Sequence, residues 1–390
     1  MIELMVAAAI GLIGMVIIFQ VFEVSESIKR TTSSGGDAQQ NGAIALYVME
    51  HDLRNGGMGF NETTYAGCPI VGSDSSQSPA AFATTANPIL MAPVRIVSGS
   101  NATTPDTLSA FYGSQQQTAD STTIVANQSA ATDEFAVVNP FGFRPGDLIM
   151  VIQPGTTCKG AIAEVSGVPA TPSNQINHDS TSYALLGGGT TVTSRFNPFP
   201  GGVAAFNGVG GANVARVYNL GNLYDPNGSS LPVYNTYAVA NNTLTVVSKF
   251  SSTAAVAIAD NIVQMRAVYG LDDGTDNGTV TYTGGTFAAN DGIIDRFVDG
   301  TTTPNWSQVI AVRVAVVARS AQPEKPSSGV VSDPCDTTTS EPTWSGTAWA
   351  TSAPNLNTHL DVSSDANWKC YRYRVFETTI PLRNWIWKSS

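Results

Sequence analysis

Residues 1–22, MIELMVAAAIGLIGMVIIFQVF, decide how the rest of the chain is read. From Leu4 to Phe19 no side chain is polar or charged; Gln20 interrupts the run, and Val21 and Phe22 resume it. As a helix, Leu4–Phe22 is about 28 Å long at roughly 1.5 Å per residue. That is close to the roughly 30 Å hydrocarbon core of a bilayer. Glu3 stands at the head of this run. A carboxylate there is tolerable only if it meets water or a cation, so Glu3 calls for a partner. A secretory signal carries positive charge before its apolar core and a small-residue cleavage site after it. Neither is present, and the continuation SESIKRTTSS still reads as helix. The segment is therefore expected to be retained, with an electrostatic task for Glu3.

Beyond it, the 390-residue chain is long enough for two domains or one large domain with insertions. Only 13% of residues are charged. The abundance of Gly, Ser, Thr and Asn suits β-structure with many turns. A net charge of −11 disfavours a general nucleic-acid or anionic-membrane surface, since both need clustered Lys and Arg. Four cysteines, Cys68, Cys158, Cys335 and Cys370, occur without a CxxC pair, so no zinc ribbon or thioredoxin-like motif is available. In an exported chain they suggest two disulfides, for which three pairings exist. The un-nested one, Cys68–Cys158 with Cys335–Cys370, closes the two shorter loops and is the expected one.

Along the chain, the helix turns amphipathic after Phe22 and meets Gly35-Gly36, each costing about 1 kcal/mol in a helix interior. Asp37 and Gln40 have capping-box character, so the sequence supports one long helix to about residue 55, with a break or hinge, or else a plain linker, as the options near 33–37. A second apolar run, Ala43–Met49 with Leu53, ends at Asn55-Gly56-Gly57. Residues 1–56 thus read as the helix and 57–390 as a β-rich head. Strands are expected at 108–112, 121–126, 134–138, 147–152, 161–165 and 212–218, with a tight hairpin at Asn241-Asn242. Ile262–Tyr269 reads as either helix or strand. Val309–Val317, VIAVRVAVV, is apolar on both alternating faces except at Arg313, so it should be a central strand covered on both sides. Residues 371–380 alternate as a last strand.

Chemistry-bearing patterns are few. His51, His178 and His359 lie far apart, and no GxSxG, phosphate-loop or dinucleotide fingerprint occurs. LDDGTDNGTV offers Asp273, Thr275 and Asn277 at alternate positions with Gly278, a spacing that could hold calcium. It lacks the twelfth-position Glu, where Gly284 stands, and the same residues also simply make turns. Asp291, Asp295 and Asp299 could add ligands if the fold brought the loops together. At the carboxyl end, Lys369, Arg372, Arg374, Arg383 and Lys388 alternate with aromatics. That pattern could stack bases, but it reads more plainly as a terminal strand, and no stable nucleic-acid binding is expected. The sequons at Asn61, Asn101 and Asn305 fit exposed loops.

The amino-terminal stretch resembles the conserved helix of type IV pilins, and HDLRNGGMGF, TPDTLSAFYG, RPGDLIMV, NIVQMRAVYGLD, SQVIAVRVAVVARS and FETTIPLRN resemble PilW-type minor pilins and their type II secretion counterparts. Glu3 matches the glutamate that follows the processed terminus in that family. By the resemblance, a leader and about two mature residues precede Met1, and the mature terminus is N-methylated. It also implies an α+β fold: a long amino-terminal helix on an antiparallel sheet, with 57–250 mostly insertion and 251–390 carrying the core sheet. The implied function is structural and non-enzymatic, a minor pilin that primes or caps a type IV pilus through other pilin subunits. A main repeating subunit is the alternative, and an adhesin-like binding head is a reading from another class. The implied location is the inner membrane of a Gram-negative-type bacterium, then the extracellular filament. No cofactor is implied, calcium aside.

Overall fold

The structure is a computed structural model that describes residues 2–386, apart from 79–80, 115–120, 129, 131–133, 156–157, 169–173, 179, 187–188, 198–205, 209–212, 226–230, 252–253, 282–285, 331–332 and 351–355. One helix, α1 (Ile2–Asn55), runs unbroken for 54 residues. Neither a break nor a linker occurs at Gly35-Gly36, and Asp37 caps nothing because it lies inside the helix. Helical flanks on both sides, with Ser34 and Ala38 buried against the head, outweigh the cost of two glycines. From Ala38 onward α1 buries Ala45, Met49 and Leu53 on one face. It ends at Asn55, where Gly57 takes a left-handed φ of 83° and donates its N–H to the Phe111 carbonyl at 2.9 Å.

That face rests on a four-stranded antiparallel sheet ordered Arg296–Val298, Ile262–Leu271, Val309–Arg319, Tyr373–Pro381. Val309–Arg319 lies inside the sheet with both faces covered. Val312, Val314, Val316 and Ala318 join Met49 and Leu53 in the main core. Ala315 and Val317 face a second cluster with Trp344, Trp349, Leu360 and Val362. Its interruption, Arg313, lies 5.6 Å from the Phe297 ring and 6.0 Å from Trp349, and pairs with Glu377 at 3.6 Å. Ile262–Leu271 is a strand, as its alternate β-branched and aromatic side chains allow.

Two larger sheets build most of the rest of the head, beside two short two-stranded ones. A five-stranded antiparallel sheet (Val94–Val97, Thr107–Tyr112, Val233–Ala240, Thr243–Ser248, Val256–Asp260) shares the main core. Its hairpin turns at Asn241 and Asn242, whose φ of 51° and 59° match the twist a two-residue turn needs. A seven-stranded sheet around Asp147–Gln153 has a core of its own, including Phe135, Ile149, Val151, Ala161, Phe206 and Val217. Within it Pro69–Ser73 pairs in parallel with Lys159–Glu164. The Cys68–Cys158 bond, with Cα atoms 5.5 Å apart, staples the entrance of those two strands. Cys335–Cys370 ties the chain between the last two long strands to the sheet edge, its Cα atoms 4.9 Å apart. The fold is thus α+β, with one long helix and several antiparallel sheets.

Candidate assembly helix and the groups that hold it

The two ends of α1 differ in everything but backbone. Met5–Glu26, 22 residues with an 18-residue window of mean hydropathy 2.5, is long and apolar enough to cross a membrane, and none of that window is buried. Phe19 and Phe22 are 69% and 71% exposed. Glu3 is exposed in the first helical turn, and among the described residues no cation pairs with it. An acidic group is favoured at a helix amino terminus by the peptide dipoles. The head reaches this part of the helix at Glu23, which lies 3.8 Å from the Lys325 ammonium.

The other end is held by directed groups. Asp52 is buried, and its carboxylate accepts hydrogen bonds from the Tyr112 hydroxyl (2.9 Å), the Tyr237 hydroxyl (2.6 Å) and the Asn235 amide (2.6 Å). Burial first, and then the Asp52 charge, raise both tyrosine pKa values, so the hydroxyls stay protonated as donors. Asn384, in the short helix α2 (Arg383–Ile386), donates to the Arg54 and Asn55 carbonyls, both at 3.3 Å, and so caps the helix end. Gly42 completes the seat: a β-carbon there would come within 2.1 Å of the Phe376 ring. Nothing lies within 4 Å of such an atom at Gly11, Gly14, Gly35 or Gly36.

The remaining sequence candidates are dispersed. His51 lies beside Asp52 at 3.4 Å, His178 stacks on Phe135 at 4.3 Å, and His359 meets Glu341 at 3.1 Å. Asp273, Thr275 and Asn277 form turns: Asp273 accepts the Thr275 N–H at 3.0 Å, and Asn277 accepts from Thr279 at 2.6 Å. Asp273 also pairs with Arg296 at 2.6 Å. Burial raises the Asp273 pKa, but the Arg296 and Thr275 hydrogen bonds outweigh it and hold the carboxyl below its usual range. Gly284 and Lys388 lie outside the described residues. Of the terminal cations, Arg372 pairs with Glu324 at 2.9 Å and Lys369 lies 5.4 Å from the Trp368 ring. Arg374 and Arg383 are exposed.

Sequence reading missed Asp52, whose donors come from residues 112, 235 and 237. It also missed Arg266, fully buried and paired with Asp106 at 2.6 Å. Arg266 further donates to the carbonyls of Asn101 (3.0 Å), Thr104 (2.8 Å) and His359 (3.0 Å). An arginine inside the apolar run IVQMRAVYG was the available signal for a buried ion pair.

Residues 234–384 match the family model of PilW, described as type IV pilus-assembly protein W. The match bears out the PilW-type resemblance and ties the chain to type IV pilus assembly. It spans the central sheet and includes NIVQMRAVYGLD, SQVIAVRVAVVARS and FETTIPLRN; the earlier motifs lie outside it. No curated protein and no solved structure matches the chain.

Proposed function

We propose that this protein is a non-catalytic minor subunit of a type IV pilus. It is held in the inner membrane by the first half of α1 and later packed into the filament by the same half. The observation that carries this reading is the contrast within α1, where an exposed apolar 22-residue segment continues directly into a segment keyed to the head. Such a surface needs lipid or other apolar helices around it. A filament of parallel helices supplies them, and Glu3 then docks against a positive group, a neighbouring subunit's amino terminus. The large head supports a minor role, because it is harder to repeat densely around a filament than a compact one.

Mass spectrometry of sheared filaments tests the stoichiometry. Sparse incorporation is expected, and one copy per helical step would instead make this the main repeating subunit. Glu3→Ala should leave the protein in the membrane but deplete it from filaments. Undiminished incorporation of that variant would remove the electrostatic docking from the proposal.

A further inference from the structure

The strand pair Ile262–Leu271 and Arg296–Val298 ends in two acidic turns that the filament role does not use. Its last paired residues are Leu271 and Arg296, so the next residues outward are Asp272 and Asp295. They are 3% and 1% exposed. Like charges at facing positions of a strand pair repel, and a buried carboxylate without a counter-charge is costly. The neighbouring Asp273 has its counter-charge in Arg296. Among the described residues no cation pairs with Asp272 or Asp295. Asp272 accepts only backbone N–H groups, from Asp291 at 3.2 Å and Gly292 at 2.7 Å. Asp295 accepts the Gly274 N–H at 2.6 Å through Oδ2, while its Oδ1 is buried with no hydrogen-bond partner. The bond to Gly274 holds this carboxylate against the turn that follows Asp272, across from its own strand.

We infer that Asp272 and Asp295 are the anionic ligands of a calcium site that clasps the 272–278 turn to the 291–296 segment. Among the described residues no group of three His, Cys, Asp or Glu side chains could hold a metal. The remaining ligands are therefore carbonyl, amide, hydroxyl or water oxygens. Calcium accepts about six to eight oxygens in flexible geometry. Zinc favours a closed set of nitrogen and sulfur ligands, and magnesium gives up its water reluctantly. The set suits calcium. The fold thus moves the site inward from the alternate positions read in the sequence, because Arg296 already takes the charge of Asp273.

The test uses the full chain in detergent, stripped with a chelator and titrated with calcium chloride by calorimetry and thermal unfolding. Saturable binding and a raised unfolding temperature are expected, because an ion that binds only the folded state stabilises it. Asp295→Asn keeps the shape and removes one charge. In chelator it should unfold at a higher temperature than the natural chain, since repulsion is relieved, yet lose the calcium-induced rise. Its calcium affinity should fall by about tenfold or more, the loss that even changes around a metal's ligands produce. If that variant does not fold, Asp272→Asn provides the same comparison. A natural chain that ignores calcium, or an Asp295→Asn chain that responds like it, overturns the inference.

Discussion

The first and second halves of α1 share one unbroken backbone and face opposite environments. Met49 and Leu53 are 0% exposed, whereas Ile17 and Phe22 are 54% and 71% exposed. Both present apolar side chains, the free half on every side and the docked half on one face between polar and charged residues. The difference is what fixes orientation. The docked half carries a buried carboxylate with three donors, a glycine that admits an aromatic ring, and a cap from the far end of the chain. The free half has apolar surface on every side, which suits lipid or several neighbours equally well. Non-directional burial tolerates a change of partner; directional bonds do not. On the proposed reading, one end of the helix leaves a bilayer for a filament while the other end stays keyed to its head.

Asp52→Ala is the largest way to break this contrast. It strands two hydroxyls and an amide, and should cost on the order of 3 kcal/mol by the penalty for unmatched buried donors. Chemical denaturation of the full chain measures it, with faster amide exchange confined to residues 38–55. Asp52→Asn, which keeps an acceptor, should recover part of the loss. A cost under about 1 kcal/mol would show that apolar packing alone docks the helix.

Gly42→Ala comes next. Alanine is the better helix former by about 1 kcal/mol, yet its β-carbon would come within 2.1 Å of Phe376. Overpacking of this kind costs about 1–3 kcal/mol, so the net effect should be destabilising. Phe376→Leu in the same chain should relieve it. If Gly42→Ala instead stabilises the protein, the ring moves aside freely and the seat is loose.

Much of this contrast could be read before the fold was known, and the parts that could not share a cause. The apolar run, its end at Asn55-Gly56-Gly57, the two-faced Val309–Arg319 strand and the Asn241-Asn242 turn are local patterns, and the structure contains each. Pro69–Ser73, Val94–Val97 and Val256–Asp260 were missed, being four or five residues long and defined by the neighbours they pair with. Asp52 takes its donors from residues far away in the chain, so spacing carries no trace of them. For Arg266 the local run signals a buried charge but not its partner Asp106, and for Asp295 a candidate ligand but not the facing Asp272. The interruption read at Gly35-Gly36 failed for the opposite reason. It was a valid local cost that contacts on either side override.

That pair supplies the smallest effect and the most direct comparison with Gly42. A β-carbon at Gly36 would have nothing within 4 Å, so Gly36→Ala should gain helix propensity with no steric cost, about 0.5–1 kcal/mol. The same substitution, six residues apart on one helix, is thus expected to have opposite signs. Slower amide exchange across residues 32–40 of the full chain in detergent is the sensitive readout, because local opening there need not report on global unfolding. A destabilised Gly36→Ala chain would mean that the junction is packed by something other than this head. A stabilised chain that also enters filaments less well would assign the two glycines to the assembled state, where the helix must bend at the junction between its free and docked halves.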